Sequence, residues 1–142
     1  MATAETPRVG AKRLQCVVVT PERTLFDEAV DFVALPLFDG ELGVLPGRSP
    51  LIGRLGFGEL RTTQHGAVKR YFVDGGFAQV RDDVVTVLTA RAVPAQEIRT
   101  HAAHEELTRA LAIRATTDAE QAAKESAQVR ARARLRVAEG RT

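Results

Sequence analysis

Histidine and cysteine are the side chains of this sequence that could most readily bind a metal or attack a substrate. His101 and His104 lie three residues apart in a helical pattern, with Glu105 beside them. A zinc site needs three or four protein ligands, and no further ligand with a suitable spacing is apparent. Cys16 lies in an apolar strand pattern without a histidine or aspartate nearby in sequence, which is typical of a buried structural thiol. We therefore expect a solvated helix face, no metal site and no cysteine nucleophile.

A glycine-containing segment at residues 43–49 superficially looks like a phosphate-binding loop. The Walker pattern needs four residues between its glycines and then a lysine, whereas three residues separate Gly43 from Gly47 and Arg48 follows. No helical pattern comes next to supply a dipole for phosphate binding. Residues 39–47 are better interpreted as a rigid, exposed loop, and such loops are common binding surfaces. The motifs of serine hydrolases and zinc peptidases are also missing, so the sequence predicts no catalytic residues, no cofactor and no enzyme activity.

The end of the chain is strongly basic. After position 123 six basic residues stand against two acidic ones, which gives a net charge of +4. The core of this charge is a set of arginines spaced by two: Arg130, Arg132, Arg134 and Arg136. Residues two apart lie about 200° apart on a helix, so these arginines spread around it. A solvated face is the ordinary explanation, but this distribution favours attraction to an acidic partner over about 8 Å.

Composition limits the class of protein. The chain has 142 residues, a net charge of +2 and a single cysteine, which suits one domain plus an appendage in a reducing compartment. No apolar run approaches the roughly 20 residues that cross a bilayer. Residues 1–12 form a small, polar stretch that we interpret as a flexible N-terminus rather than a signal peptide.

Residues 13–91 have the pattern of a β-sandwich domain. Side chains alternate with period two, for example Leu14, Cys16 and Val18 against the residues between them, so such stretches can bury one or both faces of a sheet. Turn signals interrupt this pattern every 8–12 residues, a spacing that predicts roughly 8–10 short strands. The turns expected from glycine and aspartate are Asp39-Gly40, His65-Gly66, Asp74-Gly75-Gly76 and Asp82-Asp83. The fold class is therefore mainly β, an antiparallel sandwich.

Residues 92–142 change to a helical period and predict a two-helix C-terminal domain. Pro94 suits the first turn of one helix, and Thr117 with Glu120 has the form of a capping box that opens a second. A short turn between helices favours an antiparallel hairpin. The second helix has mostly alanine for its buried stripe, and alanine offers little apolar area. We therefore expect this helix to be weakly anchored and able to leave its partner.

The sequence resembles the epsilon subunit family of the rotary ATP synthases. The resemblance covers nearly the whole sandwich, and the tail agrees in length and organisation. Four segments carry it: VTPERTLF at 19–26, DGELGVLPGRSPL at 39–51, FVDGGF at 72–77 and VVTVL at 84–88. The GELG…PG…PL string combined with a later Gly-Gly hairpin is specific to this family.

The resemblance implies a non-catalytic rotor subunit of the central stalk. It implies a ten-stranded sandwich that binds the gamma subunit and rests on the membrane rotor ring of c subunits, coupling ring to shaft during ion-gradient-driven ATP synthesis. The ring contact maps to Glu41, Leu42, Pro46 and Arg48, with Arg48 in place of a frequent histidine. The expected location is peripheral, on the cytoplasmic face of the inner (plasma) membrane.

The resemblance also implies a regulatory role for the tail. In relatives the helices lie folded on the sandwich or extend along the shaft, where they suppress ATP hydrolysis. Extended, the four arginines from Arg130 to Arg136 would meet acidic segments of the alpha and beta catalytic subunits. Some relatives bind ATP through Ile/Leu-Asp-x-x-Arg-Ala, but here Arg99 replaces the aspartate and Ala102 the arginine. No nucleotide binding is expected by that route.

Two other functions fit parts of the sequence. One is a free-standing sandwich module whose basic tail binds nucleic acid. Such tails usually carry stacking aromatic residues, and this tail has none. The other is a small hydrolase, which would require turnover by the isolated chain.

Overall fold

The computed structural model describes residues 13–140, so the predicted N-terminal segment 1–12 lies outside the described residues. Eight strands come first, followed by a 3₁₀ turn at Ala95–Glu97 and two α-helices. The strands are β1 (Leu14–Val19), β2 (Thr24–Val30), β3 (Phe32–Leu37), β4 (Gly40–Val44), β5 (Leu51–Gln64), β6 (Ala67–Arg81), β7 (Val84–Leu88) and β8 (Ala92–Pro94). The helices are α1 (Thr100–Leu111) and α2 (Asp118–Ala138). We call the two helices and their connection the helical arm.

The strands form one hydrogen-bonded sheet in the order β2-β1-β7-β6-β5-β3-β4, with β8 paired to β6. The sheet is antiparallel except for β1 and β7, which run parallel. The expected fold class, a mainly β sandwich followed by a helical hairpin, is confirmed. The parallel pair is the exception to the predicted antiparallel arrangement.

The sheet becomes a sandwich because its longest ribbon, β5 with β6, turns over near the middle. Beyond that point the opposite face of the ribbon points to the core. In β6 the core-facing residue is Val73 before the turnover and Ala78 after it, so the inward parity changes between them. Gly75 and Gly76 lie between these residues with φ angles of 71° and 110°, which residues with a Cβ rarely adopt. The two halves of the ribbon therefore belong to the two facing layers.

One core cluster fills the space between the layers. It combines residues of the first ribbon half and its neighbours with residues of the second half. Members with essentially no exposed surface include Cys16, Val33, Leu35, Leu60, Val73, Val80, Val85 and Val87. Valine dominates this set, as expected for β-branched side chains on a pleated surface.

The expected hairpin at Asp74-Gly75-Gly76 is wrong. These residues lie inside β6, and β5 pairs with β6 on both sides of them, at Leu55–Gly76 and Phe57–Asp74. The glycines serve the turnover of a continuous strand instead of a chain reversal. For the same reason residues 13–140 contain eight strands, the lower end of the 8–10 expected from turn spacing, rather than about ten.

The helical arm begins later than predicted. Pro94 ends β8, and after the 3₁₀ turn Ile98 and Arg99 are extended, so α1 starts only at Thr100. The predicted capping box is confirmed: the Thr117 hydroxyl accepts from the Glu120 amide, and the Glu120 carboxylate accepts from the Thr117 amide. The last strand, β8, lies just past the domain boundary drawn at residue 91. Within residues 13–140 neither helix combines the length and hydrophobicity that crossing a bilayer requires.

Candidate functional site

The hairpin of β3 and β4, together with the loop that follows it, contains the four residues expected to contact a membrane ring. Glu41 is exposed next to the hairpin turn, and Arg61 on β5 donates hydrogen bonds of 2.7 and 3.4 Å to its carboxylate. Leu42 is half-buried and packs against the core. Pro46 is half-buried and Arg48 is exposed, both in the loop between β4 and β5. The structure therefore separates Glu41 and Arg48 to opposite ends of β4.

Two exposed apolar residues of this region escaped the sequence reasoning. Phe38 at the hairpin turn is 67% exposed and Leu45 in the following loop is 61% exposed. The Arg54 guanidinium lies 4.6 Å from the centre of the Phe38 ring. The Gly47 amide donates a 2.7 Å hydrogen bond to the Asp83 carboxylate, which ties the loop to the β6–β7 turn. Alternation in the sequence cannot identify such residues, because both lie in connections at the ends of β4, outside the strands to which the period of two applies.

The four predicted regulatory arginines divide into two pairs. Arg130 and Arg134 are half-buried against carboxylates and phenyl rings of this chain, whereas Arg132 and Arg136 are exposed. Buried residues on α2 also step by two, at Ala131, Ala133, Leu135 and Val137. A step of two reaches opposite sides of a helix, and α2 lies between α1 and the sandwich, so both of its sides are partly covered.

The arm is attached to the sandwich through a second, smaller core cluster. Phe72, Ala95, Ile98, Ala103, Ala133, Leu135 and Val137 form it, with Phe57 packed alongside. Beside α2 a half-open groove of about 250 Å³ lies between the sandwich and Ala133, bordered by Glu41, Glu59 and Arg136. Among residues 13–140, Glu59 Oε1 is a buried side-chain oxygen without a hydrogen-bond partner. The contact between arm and sandwich is thus smaller than the main core and has a solvent-open groove at its edge.

The outer surface of the second layer is uncovered and carries large apolar side chains beside the polar Arg54 and Gln79. Ile52, Phe77 and Leu88 are more than half exposed, and Phe77 and Leu88 are direct cross-strand neighbours. Val19 on β1 continues the row beside Leu88. We call Val19, Ile52, Phe77 and Leu88 the bare face. A cluster of large exposed side chains on a rigid sheet is typical of a docking surface.

The residues singled out for metal or nucleophile chemistry have structural partners. His101 contacts Glu105 at 3.2 Å, and His104 contacts Glu139 at 3.4 Å between the two helices. Among the residues described, no group of three potential metal ligands comes together. Burial raises the pKa of Cys16 to about 12, with Glu28 and Asp27 adding to the shift, so the thiol stays protonated at neutral pH. The loop at residues 43–49 leads into strand β5 and not into a helix.

Comparison with known proteins defines the class. The family model for the β-sandwich domain of the ATP synthase delta/epsilon chain matches residues 13–95. An ATP synthase epsilon chain of Rhodopirellula baltica is 54% identical over 123 residues, covering 87% of this chain and 96% of the relative. A chain of the Euglena gracilis mitochondrial ATP synthase, solved as OSCP/F1/c-ring, has a TM-score of 0.77 at 27% identity, covering 84% of this chain and 78% of that one. A central-stalk/c-ring chain of the Tetrahymena thermophila mitochondrial ATP synthase shares the fold at 14% identity and a TM-score of 0.73, covering 89% and 97% of the two chains.

The sandwich followed by a helical hairpin is thus the architecture of the small subunits of the ATP synthase stalk. The chain belongs to the ATP synthase delta/epsilon family, and within it to the epsilon chains, which are non-catalytic subunits of the central stalk. It is accordingly a peripheral part of a membrane-associated complex.

Proposed function

We propose that this subunit couples the membrane rotor ring to the gamma shaft and that its helical arm restrains ATP hydrolysis. The observation that carries the proposal is the presence of two separate core clusters, one inside the sandwich and a smaller one under α2. A part that transmits torque must resist deformation, whereas an inhibitor must be able to move. A sandwich with a core of its own, and an arm held on it by a smaller and separate core, satisfy both requirements.

We assign the bare face to the gamma subunit. It lies on the layer that the arm does not cover, and its most exposed residues, Ile52, Phe77 and Leu88, are large and apolar. The polar Arg54 and Gln79 lie beside them. Permanent interfaces are more hydrophobic than transient ones, and a rotor subunit must stay attached through every turn. The likeness to a chain of the Euglena complex, which was solved with F1 and the c-ring, supports a position between these parts.

We assign the hairpin and loop around β4 to the polar loops of the ring. Glu41 and Arg48 offer opposite charges at the two ends of β4, and Pro46 stiffens the loop between them. Leu42 packs inward and supports the strand from below. Phe38 and Leu45 add exposed apolar surface to the same region. This contact would place the subunit on the cytoplasmic face of the inner (plasma) membrane.

The arginines of α2 are the proposed contact with acidic segments of the alpha and beta subunits. Arg132 and Arg136 are already exposed, and Arg130 becomes available when the arm leaves the sandwich, while Arg134 must also separate from Glu106 of α1. Two of the four arginines pair with carboxylates of this chain, which favours a regulated arm over a nucleic-acid-binding tail. Arg99 and Ala102, in place of the acidic and basic residues of the ATP motif, support control without that nucleotide site.

The test is removal of the arm after Ile98 in the intact ATP synthase complex. This boundary keeps β8 paired to β6 and removes both helices. We expect ATP synthesis to persist and ATP hydrolysis to rise several-fold. As a matched control, a flexible glycine-serine segment of equal length replaces residues 99–142, which separates the loss of the helices from the loss of bulk. Unchanged hydrolysis would refute the inhibitory role, and failure of the intact chain to co-purify with gamma and the ring would refute the coupling role.

A further inference from the structure

The two central strands carry the same three-residue pattern, a phenylalanine followed two residues later by an acid. In β5 the pattern is Phe57-Gly58-Glu59, and in β6 it is Phe72-Val73-Asp74. The antiparallel register pairs Phe57 with Asp74 and Glu59 with Phe72. Each ring therefore lies opposite a carboxylate, and residues two apart on a strand share a face. We call these four residues the acid–aromatic square; they lie on the outer face beneath α2.

Arg130 of α2 occupies one side of the square. Its guanidinium carbon lies 4.9 Å from the centre of the Phe57 ring, and its Nε donates a 3.1 Å hydrogen bond to Asp74 Oδ1. The Asp74 side chain is only 16% exposed, so this carboxylate is largely withdrawn from water. A guanidinium satisfies both neighbours at once, because it can stack on a ring and donate to a carboxylate in its own plane.

Arg134, one helical turn further on, occupies the second side. Its guanidinium carbon lies 5.9 Å from the centre of the Phe72 ring, and its Nε lies 3.5 Å from Glu106 on α1. The remaining corner, Glu59, is paired with Arg70 of the sandwich itself. Arg70 also donates a 3.0 Å hydrogen bond to the Val137 carbonyl near the end of α2. The square thus contacts α2 over two successive turns.

The spacing of the arginines matches the spacing of the square. Four residues along an α-helix advance by about 6 Å. Two residues along a strand, the step from one cross-strand pair to the next, advance by about 6.7 Å. A helix running along the ribbon therefore presents Arg130 and Arg134 to successive pairs. Arg132, between them, faces away and is exposed.

We infer that the acid–aromatic square is a receptor for two guanidinium groups at positions i and i+4 of α2, and that it sets where the arm rests on the sandwich. The apolar contribution of α2 is small, since alanines form half of its buried residues. The inference deepens the proposed function and rests on it in one respect. Arg130 and Arg134 cannot serve the square and an acidic partner together, so the resting and inhibiting positions exclude each other.

The test compares two double variants of the isolated full-length chain, Arg130→Gln with Arg134→Gln and Arg132→Gln with Arg136→Gln. Both remove two positive charges from the same helix, and glutamine has nearly the helix propensity of arginine. Amide hydrogen exchange of α2 measures release of the arm. We expect about tenfold faster exchange in the first variant and little change in the second. Loss of Arg130 removes an ion pair with Asp74 and a cation–π contact with Phe57, and loss of Arg134 removes a cation–π contact with Phe72.

Two further readouts make the result decisive. Wild-type α2 should exchange faster as salt rises, and the Arg130/Arg134 variant should lose most of this dependence, because screening acts on the contacts it lacks. Asp74→Asn, which leaves the arm sequence intact, should also speed exchange in α2, while exchange in β6 and β7 core amides stays unchanged. Equal effects of the two double variants would overturn the receptor. That result is independent of the arm-removal experiment, so either hypothesis can fail while the other stands.

Discussion

The two outer faces of this bent sheet are built from the same two strands and differ sharply in chemistry. In the half of the ribbon next to the β5–β6 turn, the two strands present acids and phenyl rings, and a basic helix covers them. In the other half, the same strands present Ile52 and Phe77, and nothing in the described chain covers them. Charged contacts at a partly exposed surface are modest and sensitive to salt, whereas apolar contacts are not. One face is therefore suited to a reversible contact and the other to a lasting one.

The bare face and the helical arm show how one small domain can hold a fixed and a movable connection. The bare face and the main core lie on opposite sides of the same layer. A partner that binds this face is therefore attached directly to the sandwich. The arm contacts the opposite layer through the smaller second cluster, beside a half-open groove. Its release would leave the main core intact, because none of the α1 or α2 residues belongs to that cluster.

The largest expected effect comes from the residue that separates the two faces. A Cβ on Gly76 would lie 1.9 Å from the Leu88 carbonyl oxygen, at a φ of 110°. Gly76→Ala should therefore lower the free energy of unfolding by roughly 3 kcal/mol or more, since backbone strain and a displaced strand add together. Gly47→Ala is the control, because its φ is 89° but a Cβ added there would meet no other part of the protein within 4 Å. This substitution should lower the free energy of unfolding by about 1 kcal/mol. Urea unfolding of both variants measures the difference, and equal losses would mean that the turnover does not depend on close approach.

The next effect tests whether the bare face is a docking surface. Phe77→Ser should weaken binding to a gamma-containing catalytic head by about 30-fold, as expected for a central aromatic residue of an interface. The stability of the isolated chain should change by less than about 0.5 kcal/mol, because Phe77 is 56% exposed. Val68→Ser, in the other half of β6 with 54% exposure, is the matched control and should leave binding unchanged. Binding is measured by titration with the head lacking this subunit, and equal affinities for the two variants would refute the assignment.

The smallest effect concerns the start of α2. Glu120 Oε1 accepts hydrogen bonds from the Thr116 amide at 2.9 Å and the Thr117 amide at 3.1 Å, and these bonds lower the pKa of the carboxyl below its ordinary 4.5. A lowered pKa means that the ionised form stabilises the helix above pH 4.5 and that this contribution is lost as the pH falls through the folded value. Circular dichroism should show a slight loss of helicity on acidification, smaller in Glu120→Gln. Glu125→Gln, on the same helix, should retain the wild-type profile; a Glu120 variant that also retains it would exclude this cap as the cause.

Much of the architecture was predictable because it depends on local pattern. Alternation placed Leu14, Cys16 and Val18 in the core, and the structure buries all three. The capping box at Thr117 uses atoms three residues apart, so the sequence alone defines it. Local pattern failed at Gly75-Gly76 and at Pro94, where a residue type suits two structures equally well. Glycines with positive φ serve a hairpin or a strand turnover, and proline serves a helix start or a strand end.

Residue types and short spacings are enough to specify the fold class, the break between strands and helices, the basic charge of the arm and the likeness to the epsilon family. Which arginines are paired, and which layer is uncovered, depends instead on how the folded elements pack. Both depend on the register between β5 and β6, which brings Phe57 to Asp74 and Phe72 to Glu59 from positions more than ten residues apart. Register is a property of paired strands, and neither strand contains it alone.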